Sequence, residues 1–227
     1  KQSAINLLNE GVKNSNIEIT GNTVIDALVS ISKRLDLEPF EYEQYFLNRF
    51  GINLSDNKTI LVTGHRRESF GKGFENICYS IKKISENNNV QIIYPVHMNP
   101  NVQKPVNKIL SSFKNIHLIP PQDYIPFVFL MKKAYLILTD SGGVQEEAPS
   151  LGKPVLVMRD NTERTEGVDS GTARLVGTDK KEIISNTELL INDKNAYDNM
   201  ARSINPYGDG NASEKIYQFI FKNLNNY

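Results

Sequence analysis

The chain has 227 residues, 26 basic against 26 acidic for a formal net charge of +0, one cysteine and no tryptophan. The balanced charge argues against a nucleic-acid scaffold, a polybasic membrane patch or an acidic tail, and no apolar run approaches the roughly 18 residues of a membrane span. One cysteine excludes an intrachain disulfide and a Cys-cluster zinc site and fits a reducing, cytoplasmic setting.

The start, Lys1-Gln2-Ser3-Ala4, lacks Met and is no signal peptide, so the chain is expected to begin within a longer protein. Its first 57 residues read as a helix over 4–12, a short strand over 17–19, and helices over 23–35 and 41–50. No turn in this stretch is built for a ligand, and it is expected to be a lead-in. From Lys58 onward short apolar runs recur at 59–63, 90–94, 116–119, 135–139 and 155–158. Most are continuous rather than alternating, as in strands buried on both faces of a parallel sheet. Between them Phe74, Ile77, Ile81 and Ile84, and again Tyr124, Phe127, Val128 and Met131, fall at helical spacing. Strands alternating with helices predict βαβ units and an open α/β sheet with right-handed crossovers. Helices over 180–192 and 195–203 follow. A Gly/Pro/Asn-rich break at 205–211 then precedes a last amphipathic helix carrying Ile216, Phe219 and Ile220, the pattern of a tail that crosses to another lobe or subunit.

In such sheets ligands bind beyond the carboxyl ends of the strands, so the polar residues there carry the chemistry. The fourth run ends in Asp140-Ser141-Gly142-Gly143, followed by Glu146 and Glu147. Adjacent glycines at a strand-to-helix turn admit a phosphate to backbone N–H groups. Ser141 adds a hydroxyl, and Glu147 a carboxylate for ribose hydroxyls. The plain alternative is a β–α turn with glycine chosen for positive φ. The first run ends in Gly64-His65-Arg66-Arg67-Glu68, a cationic cluster suited to a diphosphate; the alternative is a solvated loop with an Arg67–Glu68 surface pair. The fifth run leads into Arg159-Asp160-Asn161-Thr162-Glu163-Arg164, by itself an ordinary charged loop, whose place gives Glu163 or Arg164 access to the same ligand. His97 closes the second run, either as a site residue or as a structural histidine. His117, inside a strand, reads as structural, and Cys78 has no histidine near it in sequence. No metal-ligand spacing, Walker loop or nucleophile elbow is present.

Five motifs in order, G-N-T-V-I-D-A-L (21–28), G-H-R-R-E (64–68), Y-P-V-H-M-N-P (94–100), D-S-G-G-V-Q-E-E-A-P-S-L-G-K-P (140–154) and N-P-Y-G-D-G (205–210), make the chain resemble the non-hydrolysing UDP-N-acetylglucosamine 2-epimerases over nearly its whole length. The resemblance implies an α/β, Rossmann-like parallel sheet with helices on both faces, the C-terminal lobe of a GT-B fold. It divides the chain into a tail of an N-terminal lobe (1–20), a UDP-binding lobe (21–205) and a C-terminal helix crossing back (206–227). It implies interconversion of UDP-GlcNAc and UDP-ManNAc by anti elimination of UDP and re-addition, with no cofactor or metal. By motif, His65 is catalytic and on the diphosphate side. Ser141, Gly142 and Gly143 bind phosphate, Glu147 holds ribose, Arg164 completes the phosphate pocket, and Gln122 and Phe127 receive uracil. Arg66 and His97 match positions tied to a second, activating UDP-GlcNAc. The acid and base carboxylates belong to the other lobe, so this chain alone is expected not to epimerise, and the whole protein to be a cytoplasmic homodimer. A donor lobe of a GT-B glycosyltransferase and a non-catalytic UDP-sugar sensor are the competing readings. Where the family has R-D-T-T-E-R-P-E, this chain has Asn161 and Thr165, and loss of that proline is expected to loosen the loop after Arg164.

Overall fold

Residues 2–55 and 57–224 are described by the computed structural model. Three helices come first: α1 (Gln2–Asn9), α2 (Thr23–Leu37) and α3 (Pro39–Phe50). Strands and helices then alternate: β1 (Lys58–Thr63), α4 (Lys72–Asn87), β2 (Val90–Pro95), α5 (Pro100–Leu110), β3 (Ile116–Ile119), α6 (Tyr124–Lys133), β4 (Leu136–Thr139), α7 (Gly142–Glu147) and β5 (Val155–Val157). The chain continues through α8 (Thr165–Asp169), β6 (Ala173–Leu175), α9 (Lys180–Asn192), α10 (Lys194–Ala201) and α11 (Ala212–Leu224). All strand pairs are parallel, in the order β3-β2-β1-β4-β5-β6. This is the expected α/β sheet.

The pleat sends successive side chains to opposite faces, and here both faces are apolar. Ile60, Val62, Leu136 and Leu138 pack with Phe74, Ile77 and Ile81 of α4. Leu61, Ile137 and Val157 pack with Leu28 of α2, Phe46 of α3 and Phe129 of α6. Each such fully buried side chain contributes about 1.5–3 kcal/mol. The two faces therefore hold the sheet in one register, and the lead-in helices α2 and α3 are part of the core.

Three features differ from the sequence reading. Segment 17–19 pairs with no strand, and Ile19 is exposed. A sixth strand, β6, joins β5 despite the charged Arg174 at its centre, whose guanidinium donates to Asn186. Helices α5 and α8 also form where no helix was anticipated. α5 accommodates Pro100 in its first turn, where no intrahelical N–H is needed, and Pro105 inside it.

The 205–211 break runs alongside the start of α2. Asn22 N–H donates to the Tyr207 carbonyl at 2.8 Å, and a Cβ on Gly21 would sit 3.3 Å from Gly208 Cα, so only glycine allows the two backbones to touch there. Asp26 then caps α11 by accepting from Ala212 N–H and Ser213 N–H.

Candidate functional site

The strand order reverses direction at β1 and β4, from which the chain winds outward to opposite edges. The crevice beyond their carboxyl ends is where such sheets hold ligands. Thr63 and Thr139 face each other there, hydroxyl to hydroxyl at 2.6 Å. Asp140, with no exposed surface, accepts His65 N–H at 2.6 Å and Arg66 N–H at 2.7 Å through Oδ2. The buried Tyr94 hydroxyl donates to the Gly64 carbonyl. These bonds fix the β1 loop against the β4 loop. The His65 ring stacks on His97, with centroids 4.9 Å apart and 12° between planes.

A cleft of about 320 Å³ opens at this point. His65, His97, Gln122, Tyr124, Phe127, Ser141, Gly143 and Glu147 line it, so eight residues from four strand ends meet. Glu147 is buried and accepts the Tyr124 hydroxyl. Burial pushes its carboxyl above the usual range, the Tyr124 bond opposes that, and the charge of Glu146 adds to it. The side chain of Gln122 is already engaged: its carbonyl accepts from Tyr45 of α3 and its amide donates to Pro120 O. Tyr45 went unread in the sequence, which treated α3 as a lead-in. Ser141 opens α7 without capping it. The first-turn N–H groups of Gly142 and Gly143 have no acceptor within the helix.

The glycines are not required by dihedral angle, because neither has positive φ. Nor does crowding within the chain require them: a Cβ on Gly142 would lie 3.4 Å from the Arg164 guanidinium carbon and one on Gly143 3.9 Å from Ser141 Oγ, both ordinary van der Waals distances.

Two sequence-level groupings are rearranged. Glu146 and Glu147 do not act as a pair: Glu147 faces the cleft, while Glu146 turns away to accept Arg164 Nε at 2.7 Å. Arg164 lies behind the Gly142 turn and lines a separate groove of about 650 Å³ with Asn22, Glu146 and Tyr207. Glu68 pairs not with Arg67 but with Arg159 at 2.5 Å; Arg159 is buried and also holds Glu163 at 2.9 Å. The Arg159 guanidinium draws the Glu163 carboxyl down to about 2, so Glu163 braces the loop. Arg66 lines a neighbouring cleft of about 420 Å³ with Arg67, Asn99 and the same two histidines.

Elsewhere, the buried Cys78 thiol is pushed up to about 12 by desolvation, which makes it a poor nucleophile. Burial lowers His117. Among the described residues no cluster of three metal-ligating side chains occurs, and no helix is long and apolar enough to cross a membrane.

Residues 1–221 match the family model described as UDP-N-acetylglucosamine 2-epimerase. The enzyme of that name from Salmonella typhimurium is 54% identical over 226 residues, covering 97% of this chain and 58% of its own length. Two solved structures superpose closely. The UDP-GlcNAc 2-epimerase from Neisseria meningitidis bound to UDP-GlcNAc has a TM-score of 0.90 and 46% identity, over 97% of this chain and 59% of that one. The S. aureus MnaA–UDP co-structure has a TM-score of 0.87 and 43% identity, over 98% and 59%. The chain thus spans somewhat over half the length of these relatives, and on sequence and fold together it belongs to the UDP-N-acetylglucosamine 2-epimerase family.

Proposed function

We propose that the chain is the UDP-binding lobe of a non-hydrolysing UDP-GlcNAc 2-epimerase, with 21–205 as that lobe, 1–20 as the tail of an N-terminal lobe and 206–227 as a return crossing. The observation that carries this reading is the buried Glu147 facing the same cleft as the Ser141–Gly143 turn and His65, at the reversal of strand order. A carboxylate for ribose hydroxyls and N–H donors for phosphate are what a nucleoside diphosphate needs. Gln122 and Phe127 close the uracil end, and Gln122 must exchange one of its present bonds to read the base.

The reaction eliminates UDP anti across C1–C2: the C2 proton leaves to a base, the C1–O bond breaks, and 2-acetamidoglucal and UDP form. Re-addition of UDP at C1 with a proton delivered to the opposite face of C2 gives the epimer. No carbonyl acidifies the C2 proton, so the barrier is lowered by stabilising charge on the departing diphosphate. His65, the two glycine N–H groups and Arg164 supply that stabilisation. The acid and base at C2 are carboxylates of the other lobe, so this chain binds UDP without turning over. Arg66 and His97, in the adjoining cleft, are assigned to a second, activating UDP-GlcNAc, and the whole protein to a cytoplasmic homodimer.

Calorimetric titration of UDP into this chain tests the reading. Binding is expected, and Glu147→Ala is expected to weaken it about tenfold, as for loss of charge-assisted hydrogen bonds. UDP binding unaffected by that substitution would remove the nucleotide from this cleft.

A further inference from the structure

Glu146 is buried, yet it does not face the cleft, and both of its oxygens are taken. Oε1 accepts Arg164 Nε at 2.7 Å, and Oε2 accepts Asn22 Nδ2 at 2.5 Å. Its backbone carbonyl accepts Asn205 Nδ2 at 3.0 Å. Asn22 is itself fixed twice, by capping α2 through Val24 N–H and by giving its own N–H to the Tyr207 carbonyl. The Tyr207 hydroxyl donates to the Arg164 carbonyl, and Arg164 N–H donates to Thr162 Oγ1. Arg164 is thereby gripped at its backbone and at Nε, while Nη1 and Nη2 make no hydrogen bond with the described residues. The guanidinium lies on the Gly142 turn, with Nη2 3.6 Å from where a Cβ of Gly142 would be.

We propose that Glu146 is a positioning residue that anchors Arg164 by Nε, so that its two Nη groups are aimed past Gly142 at the diphosphate of a bound nucleotide. The inference rests on the reading of the Ser141–Glu147 cleft as a UDP site and adds to it the group that sets the direction of the cation. A long guanidinium side chain ordinarily surrenders rotamer entropy when it engages an anion. Held at Nε, Arg164 has lost that freedom beforehand, and its planar fork keeps the Nη hydrogens in a fixed plane. Glu146 does not line the cleft, which leaves ribose to Glu147. The bonds to Asn22 and Tyr207 also explain why G-N-T and N-P-Y-G-D-G, far apart in sequence, accompany the glycine turn.

The test is a double-mutant cycle on UDP affinity in this chain with Glu146→Gln, Arg164→Ala and both together, with melting temperatures recorded for each. Glu146→Gln and Arg164→Ala are each expected to weaken UDP about tenfold, and the double variant to be no worse than Arg164→Ala alone. UMP, which lacks the β-phosphate, is expected to lose less than UDP does on Glu146→Gln. Independent losses that multiply in the double variant, or a Glu146→Gln variant that binds UDP as the wild type does, would overturn the proposal. No UDP binding by the wild type would instead overturn the nucleotide-site reading itself. Because Glu146→Gln risks unfolding the chain, the wild type supplies a second measurement. The Arg164 Nε–H resonance, assigned by its absence in Arg164→Lys, is expected to stay in place on addition of UDP while the Nη resonances shift. An Nε–H resonance that moves as far as the Nη ones would mean that the anchor is broken in the bound state, and the proposal fails.

Discussion

Glu147 shows at the scale of one residue what a buried carboxylate does to the fold that carries it. Burial raises its carboxyl, and the Tyr124 hydroxyl offsets only part of that. A raised folded value means that protonation favours the fold. The stability is fully present below the unfolded value of 4.5 and is lost as pH rises through the higher folded value. At neutral pH the ionised side chain therefore weakens the fold. Glu147→Gln keeps an acceptor for Tyr124 and carries no charge, so it is expected to melt above the wild type at pH 7, with the gap closing as pH falls towards 4.5. The same variant is expected to bind UDP less well, since a neutral amide is the weaker partner for ribose hydroxyls. Melting curves across pH, set beside UDP titrations, check both signs. A variant that melts lower than the wild type at pH 7 would assign Glu147 to structure rather than to ligand binding.

Among the elements, most of what forms the sheet was legible, because strands buried on both faces leave short continuous apolar runs, here alternating with segments of helical spacing. β6 was not, since three residues centred on Arg174 have no apolar signature and are made a strand by pairing with β5. The prolines at 100 and 105 hid α5, although the first sits where a helix tolerates it. At the site, the glycine turn, Glu147 and His65 could be read from strand ends. The splitting of Glu146 from Glu147 follows from helix geometry: neighbours on a helix point about 100° apart, so both could not enter one cleft. Arg159 and Tyr45 were missed because their partners, Glu68 and Gln122, are brought to them only by the fold. The loop after Arg164 is a further case. Thr165 is the first residue of α8, exposed, and preceded by Arg164 with φ −102 and ψ 55, outside the helical well that proline forbids to its predecessor. Thr165→Pro is thus expected to stabilise the chain by about 0.4–1 kcal/mol through the unfolded state, with little change in UDP affinity. Thermal melts together with a UDP titration measure this, and a destabilised variant would show that the Thr165 N–H is needed.

At the scale of the whole molecule, the last helix is tied to the sheet by few buried contacts. Tyr217, Ile220 and Phe221 of α11 stay exposed, as do Ile5, Leu7 and Leu8 of α1, so burial contributes less to holding α11 than to holding the core helices. The cap from Asp26 consequently matters more than an ordinary one. Its two oxygens accept Ser213 N–H at 2.8 Å and Ala212 N–H at 3.1 Å, and these donors, Ser213 foremost, lower its carboxyl below the usual 3.8 against a smaller opposing effect of burial. A depressed folded value gives stability that is present above 3.8 and lost as pH falls through the folded value. Asp26→Ala removes the cap and is expected to cost about 1 kcal/mol. It should also raise hydrogen exchange across 212–224 while leaving β1 and β4 protected, because the Asn22–Tyr207 bond and the Asn205 bond to Glu146 hold the 205–211 crossing separately. The difference in melting temperature between wild type and Asp26→Ala should be full at neutral pH and shrink below pH 3.8, vanishing once the carboxyl is protonated in the folded chain too. If exchange instead rose together in α11 and around Arg164, the C-terminal helix and the proposed nucleotide site would be one cooperative unit, and release of α11 would carry through Tyr207, Asn22 and Glu146 to the guanidinium.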